Sequence, residues 1–289
     1  MEPFKSAFLN MKYKPLEIVT KDNNQQVFLS EKKDTKEKII IKEINLSGLD
    51  QNQKNLTSQE GLLLSQLNHP NIINCDEFHL ENDRAYIIME YGEGGDLSKK
   101  IQEQKNKNIP FEENQIIDWF IEICEAVRYI HEKNIIHRDL QPNNILLTKN
   151  NQIKLADFGI AKILDSEQQA KAKIGNDSYF SPEIIKGENY DLKTDIWNLG
   201  ILLYELTQLK HPFEDVNISP QEKLKNIQEG KYFDFTNKKY NPKILELIQN
   251  LLSVNPNERY DINKIMLECY TIKIKKIQNL IKSKKYFFI

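Results

Sequence analysis

The sequence predicts an α+β chain in two parts, strands first and helices after. Three observations carry that reading. The first ninety residues hold short β-branched and aromatic runs, KEKIIIKEINL (36–46) and RAYIIMEY (84–91). After the three glycines of EYGEGGDL (90–97), apolar residues recur every three and four positions, as in NQIIDWFIEICEAVRYIHEK (114–133). DIWNLGILLYEL (195–206) is apolar nearly all round, which marks a helix buried on every side.

In chain order, Ile18 and Val19 end one strand and Val27, Phe28 and Leu29 form the next. The loop between them is polar and has no glycine. Asn23 and Asn24 tolerate a left-handed turn there. Residues 51–67 carry Leu56, Leu62, Leu63, Leu64 and Leu67, read as one helical face. The glycines of 90–97 form a hinge. Residues 145–148 and 153–156 are apolar strands around a turn centred on Asn150 and Asn151. Ser219-Pro220-Gln221-Glu222 is a capping box with proline at the first helical position. The stretch 271–289 places six lysines among isoleucines, read as an amphipathic helix with a solvated face, with a partner or lipid contact as the alternative. The division expected is 1–90, 91–270 and a lysine-rich tail at 271–289, with no internal repeat.

Bulk numbers bound the function. With 289 residues, 39% apolar and 28% charged, the chain is long enough for a large core. A net charge of −2 gives no global field for nucleic acid or anionic membrane. Cys75, Cys124 and Cys269 lie far apart, which suits reduced thiols in a cytoplasmic protein rather than a zinc site or disulfide framework. No 18-residue apolar stretch or signal-peptide run is present.

Four segments carry chemistry together. Lys42 sits in the strand IIIKEI, and Glu60 follows eighteen residues on, in the leucine-bearing helix. Alone, each is an ordinary surface charge. His137, Arg138, Asp139 and Asn144 lie in IIHRDLQPNNILL, and Asp157 in IKLADFG. Asn144 and Asp157 each lie six residues from the Asn150–Asn151 centre, so a regular hairpin sets them side by side. An amide and a carboxylate oxygen so paired suit a hard divalent ion that also carries phosphate oxygens. Asp139, five residues before Asn144, then reaches a nucleophile beside that ion.

This set, HRDLxPxN thirteen residues before DFG with an upstream strand Lys and helix Glu, resembles that of the eukaryotic protein kinases. The likeness runs from about residue 13 to 280 and continues through SPE (181–183), DIWNLG (195–200) and Arg259. IKEINLS, the EYGEGGDL hinge, IIDWFIEIC and LKHPFE most resemble the NIMA-related (Nek) serine/threonine kinases. The resemblance implies a bilobal protein-kinase-like fold that uses ATP and Mg²⁺. Lys42 would bind the α/β-phosphates, held by Glu60, and Asp139 would accept the substrate hydroxyl's proton. Asn144 and Asp157 would hold Mg²⁺. Val27 and Met89 would border the adenine, backbone groups of Glu90 to Gly92 would bind its edge, and Asp96 the ribose. Met89 equally suits a plain core residue, and His137 suits a packed core histidine better than a catalyst. Glu183 and Arg259 would form a buried ion pair. Partners implied are a protein substrate or scaffold, with a microtubule or ciliary setting by family analogy. The absence of a long coiled coil within these residues points to a monomer.

Three departures fall where the family meets phosphate. The glycine-rich loop is replaced by TKDNNQQ and is one residue longer; only Lys21 offers a substitute charge. Gln141 stands where the family has lysine, which predicts a slower transfer step and a gain on Gln141→Lys. Asn176 follows Gly175 where the family has a threonine that braces the catalytic aspartate, and Ala172 replaces the activating threonine. Arg138 is then expected to stay unpaired or meet Asp165 or Glu167. No switch at the usual threonine is expected, leaving Ser166 and Ser178 as the serines to watch. The sequence thus supports three readings: a slow serine/threonine kinase, a pseudokinase that binds without efficient transfer, and a docking protein.

Overall fold

The computed structural model describes residues 4–22, 24–164, 170, 173–215 and 217–285, without the side chains at 52, 53, 56, 57 and 279–285. Within these residues the elements run α1 (Ala7–Lys12), β1 (Tyr13–Lys21), β2 (Gln25–Lys32), β3 (Lys38–Asn45), α2 (Gln51–Leu64), β4 (Cys75–Glu81) and β5 (Arg84–Glu90). There follow β6 (Gly95–Asp96), α3 (Leu97–Lys107), α4 (Glu113–His131), β7 (Ile135–Ile136), β8 (Ile145–Leu147), β9 (Ile153–Leu155) and β10 (Lys162–Ile163). Helices α5 (Pro182–Lys186), α6 (Lys193–Gln208), α7 (Pro220–Glu229), α8 (Pro242–Leu251) and α9 (Ile262–Lys285) complete the chain. Contacts divide it into two compact units, Met1–Gly94 with Leu147–Gly159, and Gly95–Leu146 with Ile160–Ile289. The sequence division had 147–159 in its second part. Leu155 explains the different grouping: its N–H donates to Asn71 and its C=O accepts from Ile73, both at 2.8 Å.

The first unit is a five-stranded sheet in the order β1-β2-β3-β5-β4. Every pairing is antiparallel. One face buries Phe28, Ile39, Ile41, Tyr86 and Ile88 under Phe4, Leu9 and Tyr13. Helix α1, capped by Ser6 Oγ, supplies part of that cover and was not foreseen. β1 runs to Lys21, two residues beyond the expected end. Val19 bulges out of register between Ile18 and Thr20, which absorbs the extra loop residue. In the α2 region Leu63, Leu64 and Leu67 are buried, but Leu62 is 49% exposed. The single apolar face read from the leucines is therefore narrower than expected, because the three consecutive residues Leu62 to Leu64 cannot share one side of a helix. Leu56 lies outside the described side chains. The turn at Asn150–Asn151 is present. Asn151 N–H donates to Thr148 C=O at 3.0 Å, and Asn151 takes φ 62.

In the second unit every residue of α6 from Thr194 to Gln208 is buried. Against it pack α4, with Phe120, Ile123, Val127 and Ile130 buried, and α8, while α9 packs on α4 and α8. α7 starts at Pro220 with Ser219 Oγ accepting from Glu222 N–H. The lysine-rich stretch belongs to the single helix α9, which begins nine residues earlier; residues 286–289 lie outside the described set. Among the described residues no helix is long and apolar enough to cross a membrane. Arg259 and Glu183 form the expected buried pair, two parallel bonds of 2.7 and 2.8 Å with side chains 0% and 3% exposed.

Burial alone would raise the Glu183 carboxyl, but Arg259 holds it below its ordinary value of 4.5. A depressed folded-state value means stability that is complete above the unfolded pKa and is lost as pH falls through the folded one. The melting temperature should therefore drop on acidification below the ordinary glutamate range, and Glu183→Gln should flatten that drop. Arg259→Leu strands a buried carboxylate and should cost about 3–5 kcal/mol in urea unfolding at pH 7.

Candidate active site

The candidate residues divide between the units: Val27, Lys42, Glu60, Met89, Glu90, Gly92 and Asp157 in the first, and Asp96, Asp139 and Asn144 in the second. In the first unit Val27 on β2 lies opposite Lys42 on β3. Lys42 Nζ meets Glu60 Oε2 at 2.6 Å, with the two side chains 14% and 7% exposed. Burial raises the Glu60 carboxyl, Lys42 opposes the rise, and the carboxylate of Asp157 adds to it. A Cβ on Gly159 would come 3.2 Å from Asp157 Oδ1 and 3.4 Å from Glu60 Oε2, so both carboxylates converge there. Two acids and one ammonium leave a net negative charge, a donor set suited to a hard cation. Asp157 itself takes φ 63, a left-handed conformation uncommon outside glycine.

Asp22 caps the turn of the polar loop. Asp22 Oδ1 accepts from Asn24 and Gln25 N–H, each at 2.8 Å, and these bonds hold the carboxyl below its ordinary value. Asn23 lies outside the described residues. An exposed carboxylate thus sits at the turn where the family places glycine N–H groups. Lys21 ends β1, exposed. Met89 is half-buried on β5. The Glu90 carboxylate binds Lys154 at 2.7 Å and Asn74 N–H at 2.8 Å, and Gly92 is buried.

In the second unit the catalytic loop hangs on Asp195, the one acid within the buried part of α6 that faces it. Asp195 Oδ2 meets His131 Nε2 at 2.8 Å and accepts from His137 N–H at 3.0 Å; Oδ1 accepts from Arg138 N–H at 3.0 Å. Burial would raise this carboxyl, but His131 and the neighbouring histidine bring it below its ordinary value. His137 is fully buried, and its Nδ1 accepts from Asp139 N–H at 3.3 Å. Asn144 Nδ2 donates to Asp139 Oδ2 at 2.6 Å, leaving its Oδ1 as the atom to offer a metal. Gln141 Nε2 donates to Asp139 Oδ1 at 2.8 Å. Asp96 caps α3, accepting from Lys99 N–H at 2.8 Å.

Arg138 takes φ 69; its Nε donates to Ile160 C=O at 2.5 Å and its Nη1 to Tyr190 OH at 3.5 Å. Ala170 and Tyr190 exchange backbone bonds of 2.7 and 2.8 Å. Asp165, Ser166, Glu167 and Ala172 lie outside the described residues. Ser178 is buried; its hydroxyl donates to Glu214 and accepts from Lys223 Nζ at 3.1 Å, so a phosphate there would meet both a carboxylate and an ammonium.

Sequence reasoning missed the role of Asp195, the contact between Gln141 and Asn176, and Gly61. For Asp195 a signal existed: an acid at the head of an otherwise apolar helix must be paired. Gly61 follows Glu60, and a Cβ there would lie 2.2 Å from the Phe78 ring.

Two variants test these supports. Alanine at position 61 should gain about 1 kcal/mol of helix propensity but lose about 1–3 kcal/mol or more to the clash. Gly61→Ala should therefore destabilise the parent yet stabilise a Phe78→Ala background, as read by urea unfolding. Asp195→Asn keeps the shape but offers one acceptor oxygen to three donors. It should cost about 3–5 kcal/mol and speed amide exchange at His137 and Arg138.

With this geometry in place, the protein kinase domain family matches residues 13–271. Over 257 residues the chain is 38% identical to serine/threonine-protein kinase Nek5 of Homo sapiens, covering 88% of this chain and 36% of the relative. Over 235 residues it is 40% identical to serine/threonine-protein kinase Nek1 of Mus musculus, covering 81% and 19%. Over 260 residues it is 39% identical to probable serine/threonine-protein kinase nek3 of Dictyostelium discoideum, covering 88% and 23%. The chain thus spans at most 36% of the length of these relatives.

Proposed function

The chain belongs to the protein kinases, among relatives of Nek type, and from that premise we propose that it transfers the γ-phosphoryl group of ATP to serine or threonine hydroxyls of proteins. The observation that carries this reading is the Lys42–Glu60 pair at 2.6 Å, beside the Asp157 carboxylate. An ammonium held by a buried acid is fixed in one place, ready to meet phosphate oxygens. Asp139, gripped on both oxygens by neutral amides, is aimed to accept the proton of an incoming hydroxyl. Val27, Met89 and the backbone from Glu90 to Gly92 would enclose the adenine, with Asp96 at the ribose. Asn144 Oδ1 and Asp157 would hold Mg²⁺, which supplies charge neutralisation on the phosphates when bound. Protein substrates in the cytoplasm, and the ciliary or microtubule setting of the resemblance, belong to the same proposal.

Transfer is slow in this reading. The Asp22 carboxylate replaces backbone donors at the loop, and Gln141 brings no charge to the transferring group. Losing one such stabiliser costs roughly 10²–10³-fold. The same two residues favour the second reading, a pseudokinase that binds nucleotide or a partner without efficient transfer.

The two are separated by measuring thermal shift with ATP–Mg²⁺ alongside transfer of labelled phosphate to a generic protein substrate, against Asp139→Asn. Stabilisation with transfer that the variant abolishes is expected. Stabilisation without transfer gives the pseudokinase, and neither effect overturns both readings.

A further inference from the structure

Gln141 and Asn176 are the two family departures that touch one another. Asn176 Nδ2 donates to Gln141 Oε1 at 3.0 Å, and Gln141 Nε2 donates to Asp139 Oδ1 at 2.8 Å. Asn176 Oδ1 in turn accepts Ser178 N–H at 3.1 Å, capping the turn Asp177–Tyr179. These bonds fix the orientation of each amide. The cap demands the oxygen of Asn176, so its nitrogen faces Gln141. Gln141 must then present its oxygen to Asn176 and its nitrogen to the carboxylate. The three bonds run head to tail from a backbone N–H to Asp139, an arrangement in which each polarises the next.

We propose that Asn176 is a positioning residue that acts through Gln141 to orient the Asp139 carboxylate, so that the two amides form one compensated unit in place of a charged contact. The proposal rests on the phosphoryl-transfer reading above for its kinetic consequence, but not for its geometry. Its chemistry takes back part of the gain expected from sequence for Gln141→Lys. An ammonium at position 141 still reaches Asp139 but has no acceptor for the Asn176 nitrogen, so donor faces donor. Turning the Asn176 amide over would satisfy the lysine and break the cap on Ser178. Either way one bond is lost.

The discriminating variant is Asn176→Asp, which keeps the capping oxygen and the shape, removes the donor and sets a carboxylate oxygen against the Gln141 oxygen. It should lower kcat roughly three- to tenfold, the range of one neutral hydrogen bond, with KM for ATP and protein substrate unchanged. Gln141→Lys alone should raise kcat less than Gln141→Lys with Asn176→Thr does, by roughly three- to tenfold, since a hydroxyl both donates and accepts. A parent-like kcat for Asn176→Asp, or single effects that simply multiply in the double variant, would overturn the proposal. Side-chain amide NMR reads the unit without turnover. The Gln141 Nε2 protons, assigned through Gln141→Ala, should exchange slowly in the parent and fast in Asn176→Asp. If the parent transfers no phosphate, the functional reading fails and this spectrum alone decides: a released amide supports the unit, an unchanged one refutes it.

Discussion

A single buried carboxylate, Asp195, holds the catalytic loop in shape. It lies wholly inside the protein, where an unpaired charge would be intolerable, so its oxygens must find donors. They find His131 and the backbone N–H groups of His137 and Arg138. That arrangement forces Arg138 to φ 69, a conformation costing on the order of 1–3 kcal/mol. Charge-assisted bonds to a fully desolvated acceptor outweigh that cost. The strained residue then sets the direction of the next one, Asp139, whose N–H turns back to His137. Position 139 is thus aimed by α6, a helix that contributes no reacting atom.

The first unit solves a related problem differently. Lys42 and Glu60 are both largely shielded from water, and desolvation opposes each charge. Glu60 feels this more, since Asp157 adds a second negative charge nearby. Three charges with a negative remainder are less stable alone than with a cation as counter-charge. Such a site gains from binding what it was short of. The close approach of Gly61 to Phe78 sets how near α2 lies to β4, and therefore where Glu60 stands.

Much of this was legible in the sequence because it rests on local pattern. The apolar runs gave β3 and β5, the all-round apolar stretch gave α6, and Ser219-Pro220 gave the start of α7. Glu183 and Arg259, 76 residues apart, were found only through resemblance. Periodicity did not expose Leu62 as the outward member of its cluster, because leucine alone does not say which side of a helix it faces. It also could not find α1, a six-residue helix whose stability comes from packing on Phe28 and Tyr86 rather than from its own sequence. The loop at 22–25 was read by its asparagines, yet a carboxylate that accepts two N–H groups closes a turn more firmly than an amide. Contacts such as Asn176 with Gln141 join residues 35 apart, and nothing local encodes them.

The retained and altered residues differ in what else they hold. Asp195, Glu183, Arg259 and His137 each satisfy buried groups, so replacing one leaves an orphan and costs stability. Asp139 and Asn144 share that character, because they bond to each other. Asp22, Gln141 and Asn176 stand at exposed or half-exposed positions where a replacement costs the fold little. Each has found a local partner instead: Asp22 its own turn, and Gln141 and Asn176 one another. Fold stability and, in the proposed function, the rate of transfer are therefore set by largely separate groups. The carboxylate that would receive the proton is shared between them, since its buried neighbour Asn144 belongs to the first set and its half-exposed neighbour Gln141 to the second.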